Sequence, residues 1–170
     1  MTTLRRFTVV PGLVVLFLSA ALAQQQSKPA GVLTGNDLKA VVPTSYFYRG
    51  QSASVQLRNS GGIRTKDGRY ILAAMVDTSG YAADVAQKYQ GFLITEVKVN
   101  VEGSDLAPGQ YGFGFTGDKF IVTDVGASDV FSVSSKQDEN LKRPVPLKIV
   151  EEGGAYRLYA GKKYVSLKVE

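Results

Sequence analysis

Apolar and polar residues alternate with a period of two along most of the chain beyond residue 50. In Gln51–Asn59, the side chains of Ala53, Val55 and Leu57 share one side and polar side chains occupy the other, which predicts a half-buried strand. The segment Arg69–Asp77 is apolar on both sides, which predicts a central strand. Further strands are predicted at Phe92–Val101, Tyr111–Phe115, Phe120–Val125, Val130–Ser134, Leu147–Val150, Ala155–Ala160 and Tyr164–Val169.

Turn-forming residues separate these strands. Asn59–Gly62 and Asp67–Gly68 are predicted turns, Pro108–Gly109 suits a type II turn, and Gly117–Asp118 suits a tight hairpin turn. About eight or nine short strands with regularly spaced turn signals predict a mainly β fold, a single-domain antiparallel sandwich or small barrel.

Two short helices are predicted where the apolar period changes. The first begins near Thr34, which is placed to cap it in a capping box with Asp37, and it ends before Pro43. The second lies within residues 77–91, where Asp77, Thr78 or Ser79 is placed as the N-cap and Gly91 as the C-terminal cap. One face of this second helix carries Tyr81, Val85 and Tyr89.

The amino-terminal segment has the composition of a secretory signal peptide. Arg5 and Arg6 precede the apolar run Leu13–Leu22, and Ala21 and Ala23 occupy the small-residue positions of a cleavage site. The apolar run is shorter than the roughly 20 residues that span a bilayer, so we expect cleavage and a mature protein in the periplasm or the medium without a transmembrane segment. The predicted divisions are a signal peptide at 1–23, a flexible tail at 24–32 and a β-rich domain at 33–170.

Composition restricts the chemistry of the chain more than it identifies it. The sequence contains no cysteine and no histidine, which excludes disulfides, thiolate nucleophiles and imidazole bases. We therefore expect no cofactor, and a metal site would have to use oxygen ligands. The net charge is +5 and falls to +3 without Arg5 and Arg6, which is too mild to indicate a nucleic-acid partner.

The segment Gly112–Gly117, GFGFTG, matches the glycine pattern of a dinucleotide-binding turn. That function requires a strand before the glycines and a helix after them, so that the pyrophosphate meets the helix N-terminus. Here the alternation of a strand continues through the motif itself, and a further strand, not a helix, is predicted after Gly117. We therefore expect no nucleotide at this position.

The same glycines leave one face of a strand without side chains. Glycine within a strand marks the close approach of another backbone or of a ligand. A helix formed by residues 81–90 is the interpretation that we favour for the bare face, and a ligand groove is the alternative. The candidate ligand-binding residues of that alternative are Tyr111, Gly112, Phe113, Gly114 and Phe115.

Clusters of charged residues provide the other candidate sites. Arg58, Arg64, Lys66 and Arg69 form a predicted surface basic patch that could meet anionic polysaccharide, lipid head groups or nucleic acid, or could simply be solvated. Two pairs of acids lie in predicted turns, Asp124 with Asp129 and Glu151 with Glu152. These pairs could in principle serve glycoside hydrolysis, and Asp124 and Asp129, with Ser128, could hold a weakly bound calcium ion.

The turn before the glycine-bearing strand carries one local resemblance. Leu106–Tyr111, LAPGQY, resembles the L-P-x-G-x-Y turn of exported bacterial β-rich proteins of unknown function. The resemblance implies a bacterial, exported, all-β protein and no particular activity.

These observations favour an exported, non-enzymatic β-domain that binds a small apolar ligand, a glycan or a cell-envelope partner. Two alternatives stay open at this point. One is a carboxylate-based hydrolase of envelope sugars, and the other is a structural or assembly subunit of the envelope.

Overall fold

The computed structural model describes residues 29–170, and the predicted signal peptide lies outside that range. The described chain is mainly β and contains two antiparallel sheets packed as a sandwich, together with two short helices. This confirms the predicted fold class and selects the sandwich from the two predicted architectures. Within residues 29–170, no helix has the length and apolar character needed to cross a membrane.

The elements are short and closely spaced. The two helices are α1 (Gly35–Val41) and α2 (Ala83–Lys88). The strands are β1 (Gly31–Val32), β2 (Ser45–Tyr48), β3 (Gln51–Arg64), β4 (Tyr70–Val76), β5 (Gly91–Thr95), β6 (Val99–Val101), β7 (Ser104–Leu106), β8 (Gly109–Thr116), β9 (Lys119–Thr123), β10 (Asp129–Ser134), β11 (Lys136–Gln137), β12 (Val145–Glu152), β13 (Ala155–Gly161) and β14 (Lys163–Val169).

The strands form one large and one small sheet. The large sheet has eight strands in the order β1-β3-β4-β5-β8-β9-β10, with β2 also paired to β3. The small sheet has six strands in the order β12-β13-β14-β6-β7, with β11 also paired to β14. The predicted strand Phe92–Val101 is in fact two strands, since the chain leaves the large sheet after β5 and enters the small sheet at β6.

The centre of the large sheet is apolar on both faces, as the pattern of its central strand predicts. In β4, Ile71 and Ala73 face the small sheet, whereas Leu72 and Ala74 face the other way. The first pair belongs to an inner core between the two sheets, and the second to an outer core beneath α1, α2 and β2. Burial on both faces explains why β4 reads as an uninterrupted apolar run.

The predicted turn at Asn59–Gly62 is wrong, because β3 continues through it, with a shift of its register against β4 between Val55 and Ser60. A Cβ atom at Gly61 would lie 2.7 Å from the backbone nitrogen of Ile149, so the glycine is required where β12 crosses β3. The predicted turn at Asp67–Gly68 is present, with Gly68 in the left-handed region at φ +84°. Gly109 does not have the positive φ that the predicted type II turn requires, and it begins β8.

Both helices lie where they are predicted, but neither is capped as predicted. Thr34 is the N-cap residue of α1 and makes no side-chain capping hydrogen bond. The second helix begins well after Asp77, whose carboxylate instead accepts a 3.0 Å hydrogen bond from the backbone N–H of Ser79. Gly91 belongs to β5 and is not a C-terminal cap.

Candidate functional site

The candidate strand Tyr111–Phe115 lies on β8, near the middle of the large sheet. Phe113 and Phe115 are buried in the inner core, and Tyr111 packs against it half-buried. The aromatic face of this strand therefore serves the packing of the sandwich.

The bare face of the same strand is covered by α2 and by tyrosine rings. A Cβ atom at Gly114 would lie 2.6 Å from the carbonyl oxygen of Lys88, at the end of α2. A Cβ atom at Gly112 would lie 2.6 Å from a ring carbon of Tyr48 and 3.0 Å from a ring carbon of Tyr89. These contacts leave no room for a ligand over the two glycines. The end of α2 covers Gly114, as the packed-helix interpretation expects, whereas side chains cover Gly112.

Gln90 joins the end of α2 to the same strand through three hydrogen bonds. Its backbone N–H donates to the carbonyl oxygen of Phe113 at 2.7 Å. Its side-chain amide accepts from the backbone N–H of Phe115 and donates to the carbonyl oxygen of Phe115, each at 3.1 Å. The amide thus pairs with β8 as a neighbouring strand would, a role that no periodicity in the sequence indicates.

The paired carboxylates at residues 124 and 129 make contacts typical of a structural turn. One oxygen of Asp124 accepts hydrogen bonds from the backbone N–H groups of Gly126 and Ser128, at 2.8 and 2.9 Å. Asp129 forms a 2.9 Å ion pair with Lys88. Among residues 29–170, no group of three or more acidic side chains is placed to hold a metal ion.

Three of the four residues of the predicted basic patch line one cleft. Arg64, Lys66 and Arg69 come from the end of β3, the following turn and the start of β4, and they border a cleft of about 520 Å³. Arg58 does not border this cleft and lies farther along β3. We call the space the end cleft, since it opens where the ends of several strands of both sheets meet.

The end cleft has an apolar floor and two polar walls. Val169, which is 37% exposed, provides the apolar floor. Ile63 and Val97 also border the cleft, but as members of the inner core they are almost completely buried. The turn between β3 and β4 forms the first wall, and the β12–β13 hairpin forms the second with Glu151 and Tyr156. Its volume falls within the range of about 300 to 1,000 Å³ that is usual for small-molecule sites.

Some of the charges around the end cleft are already neutralised. Arg69 forms an ion pair with Asp67 at 2.5 Å, and Glu170 forms one with Lys98 at 2.6 Å. The Thr65 hydroxyl donates a hydrogen bond to the Asp67 carboxylate, and this contact, followed by the Arg69 guanidinium, lowers the pKa of Asp67. These groups are held in place by the protein's own contacts.

Two charges that face the cleft have no ion-pair partner in the described part of the chain. The first is Lys66. The Arg64 guanidinium lies over the ring of Tyr70 at 5.8 Å from its centroid, on the outer-core face of the large sheet, and therefore points away from the cleft. On the second wall, Glu151 also makes no ion pair within residues 29–170. The pKa of Tyr156 is raised by burial and then by the negative charge of Glu151, its cross-strand partner.

The sequence predicted the basic side chains of the first wall, but it did not indicate the second wall or the cleft between the two walls. The sequence placed Glu151 in a turn and Tyr156 in the predicted strand Ala155–Ala160, and neither position indicated a cleft. The pairing of Glu151 with Tyr156 across the EEGG hairpin turn was available from the sequence. The signal that was lacking is the packing of β12 on β3, which brings that hairpin to the β3–β4 turn.

Comparisons with protein-family models, with curated proteins and with solved structures found no match to this chain. The geometry of the end cleft is therefore the basis for the functional argument.

Proposed function

We propose that this protein is an exported, non-enzymatic β-domain that binds a small ligand in the end cleft. The observation that carries the proposal is the combination of an exposed apolar surface with a cationic side chain, Lys66, that lacks an ion-pair partner within residues 29–170. The apolar part of the ligand lies against Val169, and an anionic group meets Lys66.

Two physical terms support binding of this kind. Removing apolar surface from water contributes roughly 25 cal/mol per Å², so even a small ring or short chain on the floor gains affinity. An exposed ion pair adds only about 0.2 to 1 kcal/mol, and salt screens it. The apolar contact is thus the main source of affinity, and the basic wall selects and orients the ligand.

The anionic apolar dye 1-anilinonaphthalene-8-sulfonate provides a direct test. We expect it to bind the purified protein with increased fluorescence, and we expect Lys66→Gln to weaken its affinity about twofold to fivefold, the equivalent of one exposed ion pair. Added salt should weaken binding to the unsubstituted protein more than to the variant. Titrations at two salt concentrations measure both effects.

The matched control is Lys142→Gln, which removes the same charge from an exposed residue outside the end cleft. Equal effects of the two substitutions would show that the dye senses only net charge, and the end cleft would then not be the binding site.

A second candidate function, as a structural or assembly subunit, is favoured by the edge of the large sheet. Strand β10 forms that edge, and Val130 on it is 45% exposed. An open edge can pair with a strand of another chain. Sedimentation velocity over a wide concentration range decides between the functions: self-association abolished by Val130→Lys supports assembly, and a monomer throughout argues against it.

A further inference from the structure

We infer that the end cleft is built for a zwitterionic ligand, whose anionic group faces Lys66 and whose cationic group faces Glu151 and Tyr156. The inference rests on the proposed function and specifies the chemical class of its ligand.

The two walls of the end cleft carry opposite charges that do not neutralise each other. Lys66 belongs to the β3–β4 side, and Glu151 belongs to the β12–β13 hairpin. No ion pair joins the two walls among the described residues, although both of these residues border the same space. The separation leaves the positive and negative groups available for opposite ends of one ligand.

Glu151 differs in this respect from the acid next to it. Neighbouring residues of a strand point to opposite faces, and Glu152 forms a 2.6 Å ion pair with Arg157. Glu151 points into the end cleft beside Tyr156 and makes no ion pair within the described range. The hairpin therefore neutralises its outward carboxylate and leaves the inward one unpaired.

The second wall has the chemistry of a site for an organic cation. A carboxylate supplies negative charge, and the face of a tyrosine ring attracts ammonium groups, quaternary ones included. The first wall supplies the ammonium group of Lys66, which binds phosphate or carboxylate groups. The apolar floor between them accepts methylene or methyl groups, so a compact zwitterion satisfies all three surfaces together.

A ligand of one sign fits the end cleft less well for a physical reason. Its charge would be balanced on one wall, but it would displace water from the unpaired charge of the other wall without replacing that hydration. Such uncompensated desolvation opposes binding, and it acts against purely anionic and purely cationic ligands alike. The oppositely charged walls therefore favour zwitterions in two ways: they attract both charged groups, and they weaken the binding of ligands that carry only one sign of charge.

Displacement of the bound dye by phosphocholine, inorganic phosphate and choline tests this inference. We expect phosphocholine to displace the dye at concentrations about tenfold lower than phosphate or choline, since an exposed ion pair and a cation–π contact each contribute a few-fold. Glu151→Gln should remove most of that advantage over phosphate. The matched control Glu152→Gln should leave it unchanged, because its side chain points away from the cleft.

A further displacement experiment distinguishes whether the zwitterionic ligand is a lipid head group or a free solute. Dodecylphosphocholine, used below its critical micelle concentration, carries the same head group on an apolar tail. Displacement at much lower concentration than phosphocholine supports a lipid as the source of the zwitterion, and equal potency supports a free small molecule.

The outcomes separate this inference from the proposed function. If phosphocholine is no better than phosphate, or if Glu151→Gln and Glu152→Gln behave alike, the zwitterionic assignment is overturned. The proposed function still stands in that case if dye binding depends on Lys66. If dye binding is independent of Lys66, both the zwitterionic assignment and the proposed function are overturned. Thermal unfolding of each variant shows whether lost binding reflects lost folding, and Glu151→Asp, which keeps the charge, should retain a preference for the zwitterion.

Discussion

Replacing Phe113 by alanine is expected to lower the free energy of unfolding by about 3–5 kcal/mol, since the substitution leaves a cavity in a packed core. Phe113 has 0% of its surface exposed and lies in the inner core between the two sheets. Its ring centroid lies 5.4 Å from that of Phe120 and 6.2 Å from that of Phe115. Both neighbours would lose contacts that the surrounding strands can restore only in part.

Urea unfolding monitored by circular dichroism measures this effect. The matched control is Phe47→Ala, which makes the same change at a ring that is 61% exposed on β2. The control is expected to change stability by no more than about 0.5 kcal/mol. Similar losses for the two variants would contradict the assignment of Phe113 to the inner core.

Gly114→Ala is expected to be the most damaging change of a glycine to alanine on β8. The added Cβ would lie 2.6 Å from the carbonyl oxygen of Lys88 and 2.7 Å from that of Gln87, and both of these are backbone atoms. Relief requires α2 to move away from the sheet, which also strains the hydrogen bonds of Gln90 to Phe115. Overpacking of this kind costs about 1–3 kcal/mol, and we expect the upper end because no flexible side chain can yield.

The control for this prediction is Gly80→Ala, in the loop that precedes α2. Gly80 does not have a positive φ, and the nearest atom to an added Cβ is 3.5 Å away, on the side chain of Gln51. The change should be neutral or should stabilise the fold by about 0.4–1 kcal/mol, because alanine restricts the unfolded chain. A Gly114→Ala variant as stable as Gly80→Ala would show that α2 does not press on β8.

Strand β8 shows which features of the fold a local sequence pattern can predict and which it cannot. Strand periodicity through GFGFTG identified the aromatic face and the bare face, and the bare face indicated that a backbone or a ligand lies against it. The pattern could not show that Tyr48, from β2, would cover Gly112 while the end of α2 covers Gly114. That division depends on the pairing of β2 with β3, between residues that carry no distinctive signal.

Packing between segments that are distant in sequence also explains the predictions that were wrong or missing. Asn59–Gly62 has the composition of a turn, yet β3 continues because β12 crosses it at Gly61. The end cleft follows from the same crossing, which brings Glu151 to the side of the molecule where Arg64 and Lys66 lie. Residues so far apart in sequence are united by sheet packing, and a pattern with a period of two contains no information about it.

The position of β14 between β13 and β6 has a consequence for the order in which the domain assembles. The β6–β7 hairpin is short, and within the small sheet its only other partner is β14, through pairs such as Leu167 with Val101. A hairpin of this size is unstable alone, and joining segments so distant in sequence carries a high entropic cost that slows folding. We therefore expect the docking of β14 against β6 to be a late folding step, after the large sheet has formed. In that step the β6–β7 hairpin joins the small sheet.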